Sequence, residues 1–476
     1  MPTTCAETLA RLQAGTAAFA AVDARGRARL AADTARAVAR AAPAWIDAAV
    51  TLKAGALGVP PAEVVAEETA TGPLATLRLL LITARIFRDV ASRGVPRAAA
   101  APRELHPAGL AAASFIGVEV LPEPWIADRA MFSGHQATVR CGNPGGVEAF
   151  LRSWREECRD RPRRGGVALV LGAGNVTGLA AADSISQVFE HGRAALLKLH
   201  PLHEPLAPVL AAAFEPLVAA GMLAIVTGGP ETAAEALASP LVTHVHLTGG
   251  QPAFDAIVWG GPGPRPASAT PVLATPITCE LGGVTPWIVV PGRYSAAELA
   301  YQADVVAASM LNNTSFNCIA TKCVVTCRSW DQRDEFLALV AGRLAAARPR
   351  PAWYPGSVAA WEQVAGGPAP ADGTLPWIFR TGLDPVADPR WLEREWFVPV
   401  AAEVPLDAAD IEAFCVQAGG LVRRLPGSLA ASVTVPGSLP DHDARRVDLL
   451  VDHLEYGVVA VNTWSALAYA FASVPW

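Results

Sequence analysis

The sequence predicts an α/β protein of two domains, each built on a mostly parallel sheet, with a helical lead-in before the first. Three observations predict it. Short, fully apolar runs such as Val167–Leu171 and Ala194–Leu197 alternate with stretches of helical period; strands buried on both faces and separated by helices belong to parallel sheets. The alternation ends near residue 280 and restarts with Trp287–Val290. At 476 residues the chain is too long for one ordinary core, so two or three domains are expected. The division expected is a first domain over 1–279 and a second over 280–476.

In chain order, apolar residues recur every three to four positions through Leu9–Val38 and Val64–Val90, which predicts a helical lead-in over 1–103. Pro60-Pro61 and Gly72-Pro73 mark turns or helix starts within it. Residues 104–141 alternate like strands at Phe115–Val120 and Ala137–Cys141 and predict a hairpin or linker. A tryptophan-containing helix follows between Gly142 and Arg164, with Arg161-Pro-Arg163-Arg164 as a solvated loop. From Gly166 the order is strand (167–171), helix (180–189), strand (194–197), helix (209–220, kinked at Pro216) and strands at 223–226 and 244–247. The second domain continues with a helix through Leu299–Met310 and a strand at Cys323–Cys327. The Pro- and Gly-rich stretch Ala346–Asp384 reads as loops, and Tyr456–Val461 reads as a short buried strand entering a loop. Tyr456–Trp476 is uncharged and long enough to cross a bilayer, but Gly457, Asn462, Thr463, Ser465 and Pro475 interrupt it, so no membrane tail is expected.

The net charge of −6 and the lack of a basic face argue against a nucleic-acid partner. Eight cysteines without regular pairing make no disulfide framework and suit a reducing compartment. With no basic, apolar leader at the N-terminus, the expected location is cytoplasmic. His200 with His203, and His244 with His246, have spacings that suit a metal, yet no third ligand of matching spacing stands out, so no metal is expected.

Two stretches carry chemistry. Gly172-Ala-Gly174-Asn175-Val-Thr-Gly178 lies between a strand and a helix, where glycines let a pyrophosphate approach a helix N-terminus. A plain dinucleotide site places an acid after the second strand; this chain has Lys198-Leu-His200-Pro201 there. Asn175 on its own suits a helix cap. Asn312-Asn313-Thr314-Ser315-Phe316-Asn317-Cys318-Ile319-Ala320 places a thiol between a polar, turn-forming approach and a small apolar continuation, the setting a nucleophilic cysteine needs. Cys323 and Cys327 lie in a strand-like run and read as packed.

Taken with Leu247-Thr248-Gly249-Gly250, Cys279-Glu280-Leu281-Gly282-Gly283 and Glu395-Trp-Phe397-Val-Pro399, the order of these motifs resembles the aldehyde dehydrogenase superfamily from about residue 166 to the C-terminus. The resemblance implies an aldehyde-dehydrogenase-like fold of two Rossmann-like α/β domains, a small-molecule aldehyde substrate and NAD or NADP as cofactor. It implies catalytic roles for Cys318 as nucleophile, Asn175 as oxyanion donor and Glu280 as the base that activates water on the Leu-Gly-Gly turn. Lys198, Thr248, Gly249, Gly250, Glu395 and Phe397 would face the cofactor. The chain departs from the family pattern at Pro201, Phe254, Ser315-Phe316 and Val398. With no acid at 201, NADP is expected to bind at least as well as NAD. Because the chain ends at Trp476, the family's terminal oligomerisation strand is expected to be missing and any homo-oligomer to be weak. Two alternatives stay open: an acylating relative that passes the thioester to coenzyme A, and a catalytically weak nucleotide-binding member.

Overall fold

The structure is a computed structural model that describes residues 4–106, 114–123, 128–160, 165–261, 263, 265–266 and 268–474. The loop expected at Arg161–Arg164 lies outside the described residues. The chain forms two compact units. The first takes in residues up to Leu105, those from Phe115 to Glu280 and those from Tyr469 on; the second runs from Leu281 to Ala468. The division thus follows Glu280, and the C-terminal residues return to the first unit, which a simple cut at 279/280 does not anticipate. Local contacts explain the return: the Tyr469 hydroxyl donates to the Thr71 carbonyl at 2.9 Å, Arg78 Nε donates to the Phe471 carbonyl at 2.7 Å, and Phe471 packs edge-on against Phe132.

The helical lead-in is present. Helix Cys5–Ala20 opens on a capping box in which Thr4 and Glu7 bond each other's backbone N–H, satisfying two orphan donors. The 34-residue helix Ala24–Leu57 starts on Asp23, passes through Pro43 and stops at Gly58 in the left-handed region. The next run, Val65–Arg93, is broken at Gly72. Among the described residues it is the one helical run long and apolar enough to cross a membrane, and half of that apolar window is buried. It also carries buried charge: Arg78 pairs with Asp128, and Arg85 with Glu123 and Asp89, pairings a folded interior needs wherever it encloses an arginine.

Strands β1 (Arg103–Leu105), β2 (Phe115–Leu121) and β3 (Ala137–Gly142) form a small antiparallel sheet. The expected helix after it spans Val147–Asp160. The main sheet of the first unit has the order β6 (Leu223–Val226), β5 (Ala194–Lys198), β4 (Val167–Leu171), β7 (Val242–Gly249) and β8 (Ile277–Leu281). β4 pairs in parallel with β5 and β7, and β5 with β6. β4 and β5 are buried at every residue, as their unbroken apolar runs require.

The second unit is built on a six-stranded sheet whose neighbouring strands all pair in parallel, in the order β13 (Ile378–Arg380), β14 (Val400–Leu406), β10 (Thr321–Cys327), β9 (Thr285–Val289), β15 (Ala430–Thr434) and β16 (Val458–Val461). Trp287, Val324, Phe336 and Phe414 lie in its core with no exposed surface. Three expectations need correction. The stretch Ala346–Asp384 holds the helix Ser357–Ala365, the short ribbon β11 (Arg350–Pro351) and β12 (Thr374–Leu375), and β13 at the sheet edge; its prolines and glycines punctuate these elements. The run 209–220 is two helices, Ala207–Ala213 and Glu215–Ala219, broken at Phe214, with Pro216 in the first turn of the second, where its missing N–H costs nothing. β16 is an edge strand, only partly buried.

Candidate active site

In the first unit the turn after β4 is tied to the end of β5 by the Gly172 N–H, which donates to the Lys198 carbonyl at 3.1 Å. At Gly174 a Cβ would lie 2.3 Å from the His200 ring, so only glycine lets these two turns approach. Asn175 is buried in the turn. It is not a helix cap: the next helix begins at Leu179 behind Gly178. Lys198 is buried at the end of β5, and burial holds its ammonium below the usual lysine range, opposed by Glu204 and Glu231. The carboxylates whose charge reaches Lys198 thus lie further along the chain than Pro201. Glu204 accepts from the Gly228 N–H at 2.8 Å and Glu231 from the Gly229 N–H at 2.7 Å; hydrogen bonds from its own backbone N–H and from Gly229 lower the Glu231 pKa. Burial and the Lys198 charge hold His200 low; its Nδ1 accepts from the Leu202 N–H at 3.2 Å.

β7 ends in Thr248-Gly249, and Gly250 precedes the nine-residue helix Gln251–Trp259, in whose first turn Pro252 has no N–H and Ala253 donates to the Gly250 carbonyl at 3.0 Å. The Thr248 hydroxyl is committed to Asp183 Oδ2 at 2.9 Å. Glu280 is not on a turn but is the penultimate residue of β8. One ligating atom each of Glu280, Asp183 and His246 lie within 4.8 Å of one another. His246 Nε2 is 3.5 Å from Asp183 Oδ1, and its Nδ1 is 2.9 Å from the Thr278 hydroxyl. Burial opposes charge on this imidazole, yet the Asp183 hydrogen bond and the Asp183 and Glu280 charges together raise its pKa above the ordinary value.

In the second unit the helix Ala296–Leu311 delivers the chain into a turn in which Asn313, Thr314 and Ser315 have φ of 50°, 59° and 63°. Each left-handed non-glycine residue costs roughly 1–2 kcal/mol, and a β-branched one is least suited to the region. The turn is held by side chains: Asn313 Nδ2 donates to the Phe316 carbonyl at 2.9 Å, Asn317 Nδ2 to Asn312 Oδ1 at 2.8 Å, and Lys322 Nζ to Ser315 Oγ at 2.6 Å and the Val398 carbonyl at 2.7 Å. Cys318 follows at once. Its carbonyl accepts from the Thr285 hydroxyl at 3.1 Å, the next N–H donates to Asn317 Oδ1 at 3.0 Å, and the thiol itself is half-buried. Cys323 is sealed in β10, where burial pushes its thiol up to about 12; it is inert, as expected of a packed cysteine.

Phe316 stacks on Tyr354 at 5.6 Å and meets Phe397 at 6.0 Å, so Phe397 braces the thiol turn. Glu395 presses on Gly282, where a Cβ would lie 1.9 Å from its carboxylate, and its Oε1 is buried without a hydrogen-bond partner. Burial pushes Glu395 up to about 8 and Lys322 down to about 7, each opposed by the other's charge.

Residues 150–356 match the model of the aldehyde dehydrogenase family. Over that stretch, which is under half of the chain, the protein is similar to the aldehyde dehydrogenase family. No curated protein matches the sequence. Among solved structures, an NADP-dependent glyceraldehyde-3-phosphate dehydrogenase from Bacillus halodurans complexed with NADP is similar with a TM-score of 0.62 at 17% identity, over 97% of this chain and 83% of that one. An indole-3-acetaldehyde dehydrogenase complexed with NAD+ gives 0.64 at 16% identity, over 97% and 81%. A 3,6-anhydro-L-galactose dehydrogenase gives 0.62 at 17%, over 96% and 83%. At these identities the likeness shows the aldehyde-dehydrogenase fold.

Of the residues singled out in the sequence, the first unit places Asn175 and Lys198 at the ends of adjacent strands, and Thr248 and Glu280 around Asp183. The second unit joins Cys318, Phe397 and Glu395 through Phe316 and Lys322. Sequence reasoning missed Asp183, Tyr354, the pairing of His246 with Asp183 and the anchoring role of Lys322. The scarcity of lysine was a usable signal: all three, Lys53, Lys198 and Lys322, are buried.

Proposed function

We propose that this protein is a member of the aldehyde dehydrogenase superfamily that oxidises an aldehyde to a carboxylic acid with NAD(P), through a thioester on Cys318. The observation that carries the proposal is the strained turn Asn313–Ser315, in which three consecutive left-handed residues are held by side-chain bonds immediately before a half-buried thiol. Backbone strain of this kind persists only where surrounding structure enforces it, and it clusters at functional sites.

The Cys318 sulfur adds to the aldehyde carbon, and the oxyanion is assigned to the Asn175 amide and the Cys318 N–H. Bound NAD(P) supplies the acceptor for the two electrons lost as the thiohemiacetal becomes a thioester. Glu280 then takes a proton from water, the new C–O bond forms, and the C–S bond breaks to return the thiolate. What supports a cofactor in the first unit is the close approach that Gly174 allows at the turn and the buried Lys198, which with Glu204 and Glu231 would hold ribose hydroxyls. We propose that these two carboxylates, against the expectation from Pro201 that NADP binds at least as well as NAD, favour the unphosphorylated ribose. In the second unit the unpartnered Glu395 Oε1 is the remaining cofactor candidate. Reduced cofactor formation with a panel of aldehydes, with and without coenzyme A, tests the reading. Carboxylic acid as product, with no acceleration by coenzyme A, is expected; acyl-CoA as product replaces the hydrolytic reading with the acylating one.

A further inference from the structure

Glu280 as a base leaves one matter open within the first unit: the proton it takes from water must leave it before the next turnover. Three segments far apart in sequence meet at its carboxylate, namely Asp183 on helix Leu179–Ile185, His246 on β7 and Glu280 on β8, with one ligating atom of each within 4.8 Å of the others. The imidazole is oriented on both sides. Nε2 faces Asp183 Oδ1 at 3.5 Å, and Nδ1 meets the Thr278 hydroxyl at 2.9 Å, which also meets His244 Nε2 at 2.9 Å. Asp183 is itself fixed by the Thr248 hydroxyl at 2.9 Å. An imidazole within 4.8 Å of two carboxylates, held by threonines at two removes, is a group prepared to hold a proton.

We propose that His246 is a positioning residue for deacylation, accepting from Glu280 the proton removed from water and holding it against Asp183. This rests on the proposed thioester chemistry. The water O–H bond breaks as oxygen bonds the acyl carbon, the proton goes to the Glu280 carboxylate and on to a ring nitrogen of His246, and the electron pair of the C–S bond returns to Cys318. The imidazolium then releases its proton to solvent, to which the His246 side chain is 12% exposed. The titratable groups facing the cluster are Asp183 from the helix, Glu280 and its neighbour Cys279 from β8, His244 through Thr278, and Tyr469 from the C-terminal segment, whose phenol is buried and raised further by Asp183 and Glu280. Because neutral His246 is the accepting form, the deacylation rate rises with pH through an apparent pKa that belongs to the coupled set and lies above the ordinary histidine value.

The test pairs a kinetic and a spectroscopic readout on the full-length protein. In stopped flow, His246→Gln keeps the burst of reduced cofactor, slows the steady state by roughly 10- to 100-fold and loses the alkaline rise; Asp183→Asn moves that rise to lower pH. In 13C-histidine-labelled protein without substrate, the resonance absent from His246→Gln titrates above 6.5 in the wild type and lower in Asp183→Asn. An unchanged pH profile in His246→Gln, or a His246 titration at or below 6.5 that Asp183→Asn does not move, overturns the proposal. So does a resonance that shifts on dialysis against EDTA, since a metal ion rather than a proton would then bridge the groups. A wild type without any burst counts against the thiol chemistry, and the titration then decides the pairing of His246 by itself.

Discussion

Around Cys318 the second unit fixes the main chain, with three left-handed residues pinned by Asn313, Asn317 and a buried Lys322 that makes no solvent contact of consequence. Around Glu280 the first unit instead gathers charge, setting a partly exposed carboxylate on an edge strand beside Asp183 and His246. In the proposed chemistry the difference follows from what each group would do. A nucleophile must meet a carbon at one place, which rewards rigidity; a base must lose and regain a proton each cycle, which rewards partners that titrate.

The largest effect falls on the rigid half. Cys318→Ser removes turnover by roughly 10³-fold or more while cofactor binding, followed by fluorescence quenching, stays within a few fold. Cys323→Ala is the control; equal loss in both variants would break the comparison. Next, Glu280→Gln keeps one equivalent of reduced cofactor per site and then loses roughly 10²- to 10⁴-fold in the steady state. Normal turnover in that variant would remove the base from the account.

Smaller effects sharpen it. NAD binds more tightly than NADP, and Glu231→Gln narrows the gap by a few fold, because it removes a carboxylate that a 2′-phosphate would meet; a preference for NADP in the wild type would reverse this assignment. Thr314→Gly relieves one left-handed β-branched residue and raises stability by about 1 kcal/mol, roughly 2–4 °C in the thermal midpoint, while kcat falls several fold because the turn loosens. Glu395→Gln tests the buried pair by pH. In the native state Glu395 holds its proton up to about 8, whereas unfolded it loses it near ~4.3. Between those values the native state binds more protons, so this group lowers stability as pH rises. Lys322 acts in the opposite sense from about 7 upward, as its unfolded pKa is ~10.4. The variant's advantage in thermal midpoint therefore grows from pH 5 to 8 and then levels off; an advantage independent of pH would contradict the assignment.

The rigid half was the legible one. Trp287–Val290 and Cys323–Cys327 announce buried parallel strands, and the polar approach to Cys318 sits in one contiguous stretch. The charged half was not legible, because Asp183, His246 and Glu280 are 63 and 34 residues apart in sequence and meet only through the β4–β7 pairing and the helix between them. His246 showed only its spacing to His244, which suggested a metal without a third ligand. Likewise, composition disguised the helix Ser357–Ala365 and strand β13, since prolines and glycines at element ends look like loop residues until the elements are seen.

The measurement closest to the central claim is mass spectrometry of Glu280→Gln mixed with aldehyde and NAD, then quenched and digested. With Cys318 as nucleophile and Glu280 as the base that frees it, acyl groups accumulate to about one per chain on the peptide containing Cys318. An adduct on Cys279, or no adduct from an aldehyde the wild type oxidises, would contradict the account.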